Sequence, residues 1–542
     1  MASGRSFLRV GVLNCANIVA VYTMWILMTY LTDVWKLSIT HAATIVNVYS
    51  GLVGIMPIVM AFLLDHCLGT YWMLFLSSVT YSIVSFFLLR NSRYHRLTIS
   101  HELSVQGLSF LAMSTPPVLS KVTGTCSAYE PACIGHIQSI FFYVALALIA
   151  VGKSSHLVSV ESFWKLQNEN QEQEENQTNP EDGLQKLKKM VSYASMLPLV
   201  AALIAVAFIK PWSIRFGIPA IFTVVATLMF LSSLCSNTFI KPPQTSGISS
   251  EDGVATTLQS YIQDLDLDEE RRKNELSTGG AAVITVPSHL IEEYHDNRLR
   301  FVGARGADET RVTLRIIPMW TTFIVCGILI SVGNTYFLEQ ANHMNNKLGS
   351  LHVPVVFLFL YYNTLKWGND QSFKNLMTKN PAAVLASSPI FYSIICCIIA
   401  ALVESKRLHV VKKYGLIDKP EDTIPMSMFW LLPQLFFLAF MEYSAGKIFA
   451  KFCVQEVPDS MKRYVPYMTE GVLGAGTIGS VLLVYIVNKV SKRGGRLSWF
   501  QDTLNKSRLD NYYWLLTVLS SINFVVYFFL ISWFKIRSIR PR

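Results

Sequence analysis

One carboxylate, Glu442, stands inside an apolar run from Phe429 to Phe449 that is long enough to cross a lipid bilayer. A charge at that depth costs about 3 kcal/mol or more unless it faces a watery cavity, meets a cation or takes up a proton. We therefore predict that Glu442 serves a functional cavity as a substrate-recognition group or a proton carrier. The alternative is a structural ion pair, for instance with Lys447, although five residues turn a helix by about 140°.

Other polar and aromatic side chains in apolar runs are weaker candidates. Trp320, Asn334 and Tyr336 share one run and can contact a substrate, but aromatic residues there more often pack or anchor at the interface. Glu470 stands early in its run, where an interfacial role explains an acid equally well.

The motifs of enzymes and metal sites do not occur. Gly152-Lys153-Ser154 is similar to the end of a phosphate-binding loop, but Ala147 stands where the first glycine belongs. The sequence has no His-Glu-x-x-His and no nucleophile elbow. We therefore predict no enzyme, no metal site and no cofactor.

The elements that must position these residues are membrane-spanning helices. Of the 542 residues, 51% are apolar and only 15% are charged, which is too little charge for a soluble chain of this length. The apolar residues fall into blocks of about 20, and in lipid such blocks must be helices. The predicted spans are 10–31, 42–64, 71–90, 135–156, 190–209, 216–236, 316–338, 353–366, 383–403, 427–447, 466–488 and 513–534.

Two polar gaps organise these twelve spans. Residues 165–189 are rich in Gln, Asn, Glu and Lys, and residues 237–313 form a long charged segment. The second gap separates an N-terminal half (1–236) from a C-terminal half (314–542), six spans each. We predict that this linker is cytoplasmic and largely disordered. Two six-helix halves around a central linker are the layout of the major-facilitator fold.

The net charge of +10 lies outside the apolar blocks, so it indicates contact with anionic lipid and not with nucleic acid. Charge at both chain ends favours a cytoplasmic side for them. Lys406, Arg407 and the cluster 492–496 would then lie outside, against the usual bias.

Cys126 and Cys133 share a polar loop and would form a disulfide if that loop faces an oxidising compartment.

Several short motifs together resemble the proton-dependent oligopeptide transporter family, in its plant nitrate and peptide transporter branch. They cover almost the whole chain except the polar gaps, and are very specific jointly. They are Thr29-Tyr-Leu-Thr32, Ile317-Pro-Met-Trp320, Ala401-Leu-Val-Glu404-Ser-Lys406-Arg407, Ile424-Pro-Met-Ser-Met-Phe-Trp430, Val457-Pro-Asp-Ser-Met-Lys462 and Leu504-Asn-Lys-Ser-Arg-Leu-Asp510.

The resemblance implies a twelve-helix facilitator that works by alternating access, with Glu442 as the family's substrate-site glutamate. It also implies a Glu-x-x-Glu-Arg motif in the first span. That motif aligns with 13–17, where both acids and the arginine are absent. Asn14 and Asn17 stand there; they can line a substrate path or bond to neighbouring helices, but neither titrates.

The loop after the second span resembles the family's gating loop. Asp65 and Gly69 match it, but Thr70 stands where a basic residue is usual, so Asp65 lacks a local partner.

Residues 84–106 interrupt a stretch that is continuous in the family. The segment starts with Val, whose codons begin GT, and ends with Gln, which CAG encodes. We hypothesise a translated retained intron; the alternative is a genuine loop insertion.

The sequence thus predicts an all-α, multi-pass carrier of a small polar solute in the plasma or vacuolar membrane. Nitrate, peptides, amino-acid derivatives and hormones are within range, and a lone Glu442 mildly favours an amine-bearing solute. Classical proton coupling is in doubt. The alternative is a non-transporting sensor or scaffold that acts through the linker.

Overall fold

A computed structural model describes residues 2–66, 81–83, 105–175, 203–204, 207–235, 316–366, 388–457 and 459–539. Residues Met1–Ser236 and Val312–Arg542 form one compact unit. The predicted linker at 237–313 lies outside the described residues, so its disorder and its cytoplasmic side stay predictions.

The described chain is almost entirely helical, because apolar segments in lipid must satisfy their own backbone hydrogen bonds. The helices are Ala2–Trp25 (α1), Leu27–Asp33 (α2), Ile39–His66 (α3), Gly107–Met113 (α4), Pro116–Thr123 (α5), His136–Glu175 (α6), Trp212–Cys235 (α7), 316–332 (α8), Leu338–His343 (α9), 356–366 (α10), Pro389–Lys413 (α11), Leu432–Glu456 (α12), Val465–Ser491 (α13) and Leu509–Ile539 (α14).

Seven described segments are long and apolar enough to cross a membrane, and Trp212–Ala226 is a shorter apolar helix. The seven are Cys15–Asp33, Ile39–Phe62, His136–Val158, Ile316–His343, Met428–Glu456, Met461–Ser491 and Leu509–Trp533. Each coincides with a predicted span.

The short strands lie between the helices. Met344–Asn345 (β3) pairs in parallel with Ile424–Ser427 (β6), and Lys347–Leu348 (β4) pairs with Leu351–His352 (β5). Tyr81–Ile83 (β1) pairs antiparallel with Val105–Gln106 (β2), opposing Tyr81 to Gln106. The prediction of a helix throughout 71–90 is therefore wrong at 81–83, because these residues form a strand that pairs with Val105–Gln106.

Two helices from opposite halves approach closely through glycines. α3 packs along α13, and a Cβ at Gly54 would lie 2.8 Å from the Cα of Gly474. A Cβ at Gly474 would lie 2.7 Å from the carbonyl oxygen of Gly51. Backbones this close leave no room for a side chain, so the glycines hold the two halves together here.

At one end of the bundle the halves are joined by polar contacts, and we call this the closed end. Asn342 Nδ2 donates to Thr29 Oγ1 at 2.6 Å, and Lys36 Nζ lies 2.8 Å from Glu421 Oε1. The loop that holds the Cys126–Cys133 disulfide lies at this end too, since Tyr129 bonds Ser213 beside the Tyr30–Trp212 ring contact.

Contacts at the closed end explain part of the conflict between the predicted orientation and the positions of the basic residues. Arg407 is buried and holds both oxygens of Glu404 at 2.7 Å, with further bonds to Asn505 and to the Leu504 carbonyl. Lys406 lies over the ring of Trp430. Arg407 is therefore not a loop charge that determines orientation.

Candidate substrate site

Glu442 lies on α12 and meets two side chains of α10. Lys366 Nζ donates to Glu442 Oε1 at 2.6 Å, and the Tyr362 hydroxyl donates to Oε2. Tyr362 and Lys366 are four residues apart on one helix, so both face α12. The acid that was singled out from the sequence is thus neutralised by a lysine from the neighbouring span.

These groups line a cavity of about 170 Å³ between the two halves. The N-terminal half contributes Val21, Met24, Trp25, Val46, Tyr49, Ser50 and Lys153, and the C-terminal half contributes Asn334, Phe359, Tyr362, Asn363, Lys366 and Glu442. A cavity lined from both halves is where an alternating-access carrier binds its solute.

Lys153 is the cation that the N-terminal half brings to this cavity. It lies on α6, and no described residue forms an ion pair with it. The Tyr49 hydroxyl is buried in the same lining and has no hydrogen-bond partner among the described residues. Lysine and tyrosine together offer a bound solute a positive charge and a hydrogen-bond donor.

Asn334 enters the cavity from a π-helical turn, Gly333–Phe337, between α8 and α9. A Cβ at Gly333 would clash with Leu438 of α12, so glycine permits close packing at this turn. π-turns inside helices are frequent at functional sites, where they re-aim side chains.

Several residues predicted for the site lie elsewhere. Tyr336, two residues beyond Asn334, points away from the cavity and packs on Phe500 and Tyr512. Trp320 lies by Phe449, again outside the cavity lining. Both positions match the packing role that was the alternative for aromatic residues.

The ion-pair partner of Glu442 also differs from the alternative predicted from the sequence. Lys447 lies over the ring of Tyr443 and Lys366 forms the ion pair with Glu442. Glu470 is exposed and outside the cavity lining. Asn17 is half-buried, one helical turn before the cavity residue Val21.

The side chains of Asn14 and Asp65, and Gly69 as a whole, lie outside the described residues. Their roles in binding and gating stay predictions.

The sequence reasoning missed Lys153, Lys366 and Tyr362. The signal that could have found the lysines is the one that found Glu442: a charge in an apolar run, which needs a partner or water. Weighing the three intramembrane charges together would have predicted a shared site.

Comparisons with known proteins decide the family. Residues 94–360 match the POT family profile, PTR2. Across 548 aligned residues the chain is 34% identical to Protein NRT1/PTR FAMILY 5.5 of Arabidopsis thaliana, covering 95% of this chain and 94% of that protein. The chain belongs to the plant NRT1/PTR branch of the POT family. It is also 26% identical to Protein NRT1/PTR FAMILY 5.13 of the same plant, covering 93% of this chain and 88% of that protein.

Solved POT structures share the fold. The transporter PepTSo superposes with a TM-score of 0.56 at 15% identity, covering 96% of each chain. A POT family transporter in complex with 5-aminolevulinic acid gives 0.55 at 13% identity, covering 96% of this chain and 95% of that one. The prediction of a twelve-helix major-facilitator fold is confirmed. The protein is a multi-pass membrane transporter, as the other members of its family are.

Proposed function

We propose that this POT family member carries a small solute with an anionic group, bound at Lys153, across the membrane by alternating access. The observation that supports this is the pairing within the cavity. Glu442 is already held by Lys366, whereas no described residue forms an ion pair with Lys153. An ammonium that lacks an ion pair attracts an anion more strongly in a confined cavity than it would in water.

The charge of the lining favours an anion. Lys153 and Lys366 against Glu442 leave one net positive charge. Glu442 also attracts Lys153 across the cavity, without forming an ion pair with it. Glu470 acts on both lysines from outside the lining, but it is exposed, so water screens it. The prediction of an amine-bearing solute considered Glu442 alone, whereas the cavity also contains Lys153 and Lys366. Nitrate, peptides and amino-acid derivatives all carry a suitable group.

The relatives are consistent with this class of solute. One structural neighbour was solved in complex with 5-aminolevulinic acid and another peptide transporter of the family in complex with sulfate. Both ligands carry anionic oxygens. Since these proteins share only 13% identity with this chain, their ligands guide the choice of solutes for a test.

We further propose an orientation. A disulfide persists where the compartment is oxidising, so the closed end faces the extracellular or vacuolar side. Both chain ends and the linker are then cytoplasmic, and basic residues near the spans contact anionic lipid. A fluorescent fusion would distinguish the plasma membrane from the vacuolar membrane.

Uptake into proteoliposomes tests the proposed function. Nitrate, a dipeptide and 5-aminolevulinic acid would be supplied as tracers, each beside an uncharged analogue of similar size. A charge-assisted hydrogen bond contributes about 1.5–3 kcal/mol, so Lys153→Gln should lower kcat/KM for the transported anion about tenfold to 100-fold. Lys153→Arg should keep part of the activity.

Lys447→Gln is the matched control, because Lys447 is an exposed lysine outside the cavity lining. Its uptake should equal that of the wild type. Uptake of the uncharged analogues in preference to the anions would overturn the anion proposal. Absence of any uptake by folded protein would favour the sensor alternative.

A further inference from the structure

A second cavity, which we call the lateral crevice, lies between the two halves at the closed end. Its volume is about 350 Å³, and none of the described residues that line it also lines the substrate cavity. Asn342 and Thr29, whose hydrogen bond joins the halves, both belong to its lining. The crevice is therefore a separate site that closes when the two halves meet.

Three basic side chains line the lateral crevice, and they share one depth in the membrane. Lys210 directly follows the fifth predicted span, Arg215 directly precedes the sixth, and His352 directly precedes the eighth. The ends of membrane spans lie at the level of the lipid headgroups. The crevice thus presents a cluster of basic groups at that level.

This positive charge has no acid opposite it, since no Asp or Glu is among the described residues of the lining. The Cζ of Arg215 lies 4.6 Å from the ring centroid of Trp212, and its guanidinium donates to two backbone carbonyls, at 3.0 and 3.3 Å. Asp33 attracts Arg215 from outside the lining without forming an ion pair with it. The guanidinium is therefore held in place by neutral groups, and its charge is open to an anionic ligand.

Below the basic groups the lining becomes apolar. Phe208 and Val355 lie within the fifth and eighth predicted spans, and Ile26 and Leu338 line the same space. Phe208 is 62% exposed, and an exposed aromatic side chain within a membrane span faces lipid. The crevice therefore opens sideways to the bilayer, with positive charge at headgroup depth and an apolar wall at the depth of the acyl chains.

We propose that the lateral crevice binds a membrane phospholipid, with its phosphate at Lys210 and Arg215 and an acyl chain against Phe208 and Val355. Lysine and arginine bind phosphate oxygens through charge-assisted hydrogen bonds, and arginine can donate two at once. Inorganic phosphate offers the same oxygens but leaves the apolar wall uncovered, so the lipid is the occupant that fits the whole crevice. The proposal does not depend on which solute is carried.

Site-specific photo-crosslinking tests the proposal in the full-length protein. Phe208 would be replaced by p-benzoylphenylalanine, and the protein would be placed in nanodiscs that contain equal amounts of phosphatidylglycerol and the uncharged digalactosyldiacylglycerol. Mass spectrometry then gives the ratio of the two lipid adducts. The same replacement at Ile522, which is 57% exposed on α14, is the control position for lipid that surrounds the helices.

A basic group near the membrane surface favours an anionic lipid by about fivefold. With two such groups, the adducts at Phe208 should favour phosphatidylglycerol by about tenfold or more, and those at Ile522 should show little preference. Lys210→Gln should lower the preference at Phe208 by about fivefold. Lys347→Gln should leave it unchanged, because Lys347 is an exposed lysine of the same end that is not part of the lining.

Lys210→Gln is the deciding variant, because Lys210 is exposed and its replacement should not alter thermal unfolding, whereas Arg215 also bonds the backbone. Equal adducts of the two lipids at Phe208, or an unchanged preference in Lys210→Gln, would overturn the proposal. Inorganic phosphate in excess should not displace the lipid. If it removes the phosphatidylglycerol adduct at Phe208, the crevice binds a free anion and the assignment to a lipid is wrong.

Discussion

The ion pair between Glu404 and Arg407 is the contact whose removal should cost most. Their side chains are 0% and 1% exposed, and Arg407 also reaches Asn505 and the Leu504 carbonyl at 3.0 Å. Arg407→Met leaves Glu404 as a buried charge with only Gln340 as its remaining described partner. Breaking one side of a buried pair costs about 3–5 kcal/mol.

The measurement is the free energy of unfolding by SDS titration of the purified protein in mixed micelles, followed by tryptophan fluorescence. The double variant Glu404→Met with Arg407→Met should lose less than Arg407→Met alone, because no uncompensated charge remains. Lys506→Met breaks the exposed pair with Asp418 and should cost less than about 1 kcal/mol. Equal losses for Arg407→Met and Lys506→Met would refute the reasoning.

Three further predictions follow from the packing and the closed end. Gly474→Ala should destabilise the protein by about 1–3 kcal/mol in the same titration, whereas Gly479→Ala, with open space at its Cβ, should not. Deleting 84–106, which removes β2, should leave a folded, monodisperse protein, because the pairing of Tyr81 with Gln106 places the two flanks of the segment close enough to be joined directly; aggregation would support a structural role for the segment. The hydrogen bond from Lys36 lowers the pKa of Glu421, so the stability it adds is present above the usual carboxyl pKa and is lost as pH falls through the lowered value. Glu421→Gln should abolish that acid-side loss, which is under about 1 kcal/mol because the pair is exposed.

Much of the fold could be predicted from the sequence because lipid leaves few choices. A block of about 20 apolar residues must be a helix, and the described spans lie where the blocks are. The strand at Tyr81–Ile83 could not be predicted, since it depends on pairing with residues more than 20 positions away.

The site was only partly predictable. The energetic cost of an acid in lipid identifies Glu442 without any structure. Its partner does not follow from the sequence, because Lys366 is 76 residues away and only the packing of α10 against α12 brings them together. The π-turn at Gly333–Phe337 likewise decides that Asn334 faces the cavity and Tyr336 does not.

The charge count misled for a similar reason. It treats every Lys and Arg near a span as solvent-exposed, whereas Arg407 is buried in an ion pair with Glu404. Such pairing can be recognised from the sequence only as a possibility, since an acid and a base three residues apart on a helix can also both face water.

The central claim is that Lys153 binds the anion while Lys366 and Glu442 neutralise each other. The most direct measurement is the initial rate of anion uptake into proteoliposomes for Lys153→Gln, Lys366→Gln, Glu442→Gln and the double variant Lys366→Gln with Glu442→Gln. The account predicts that the double variant transports better than Lys366→Gln alone, because no unpaired Glu442 remains to repel the anion, and that Lys153→Gln is the most impaired. Wild-type uptake by Lys153→Gln would contradict it.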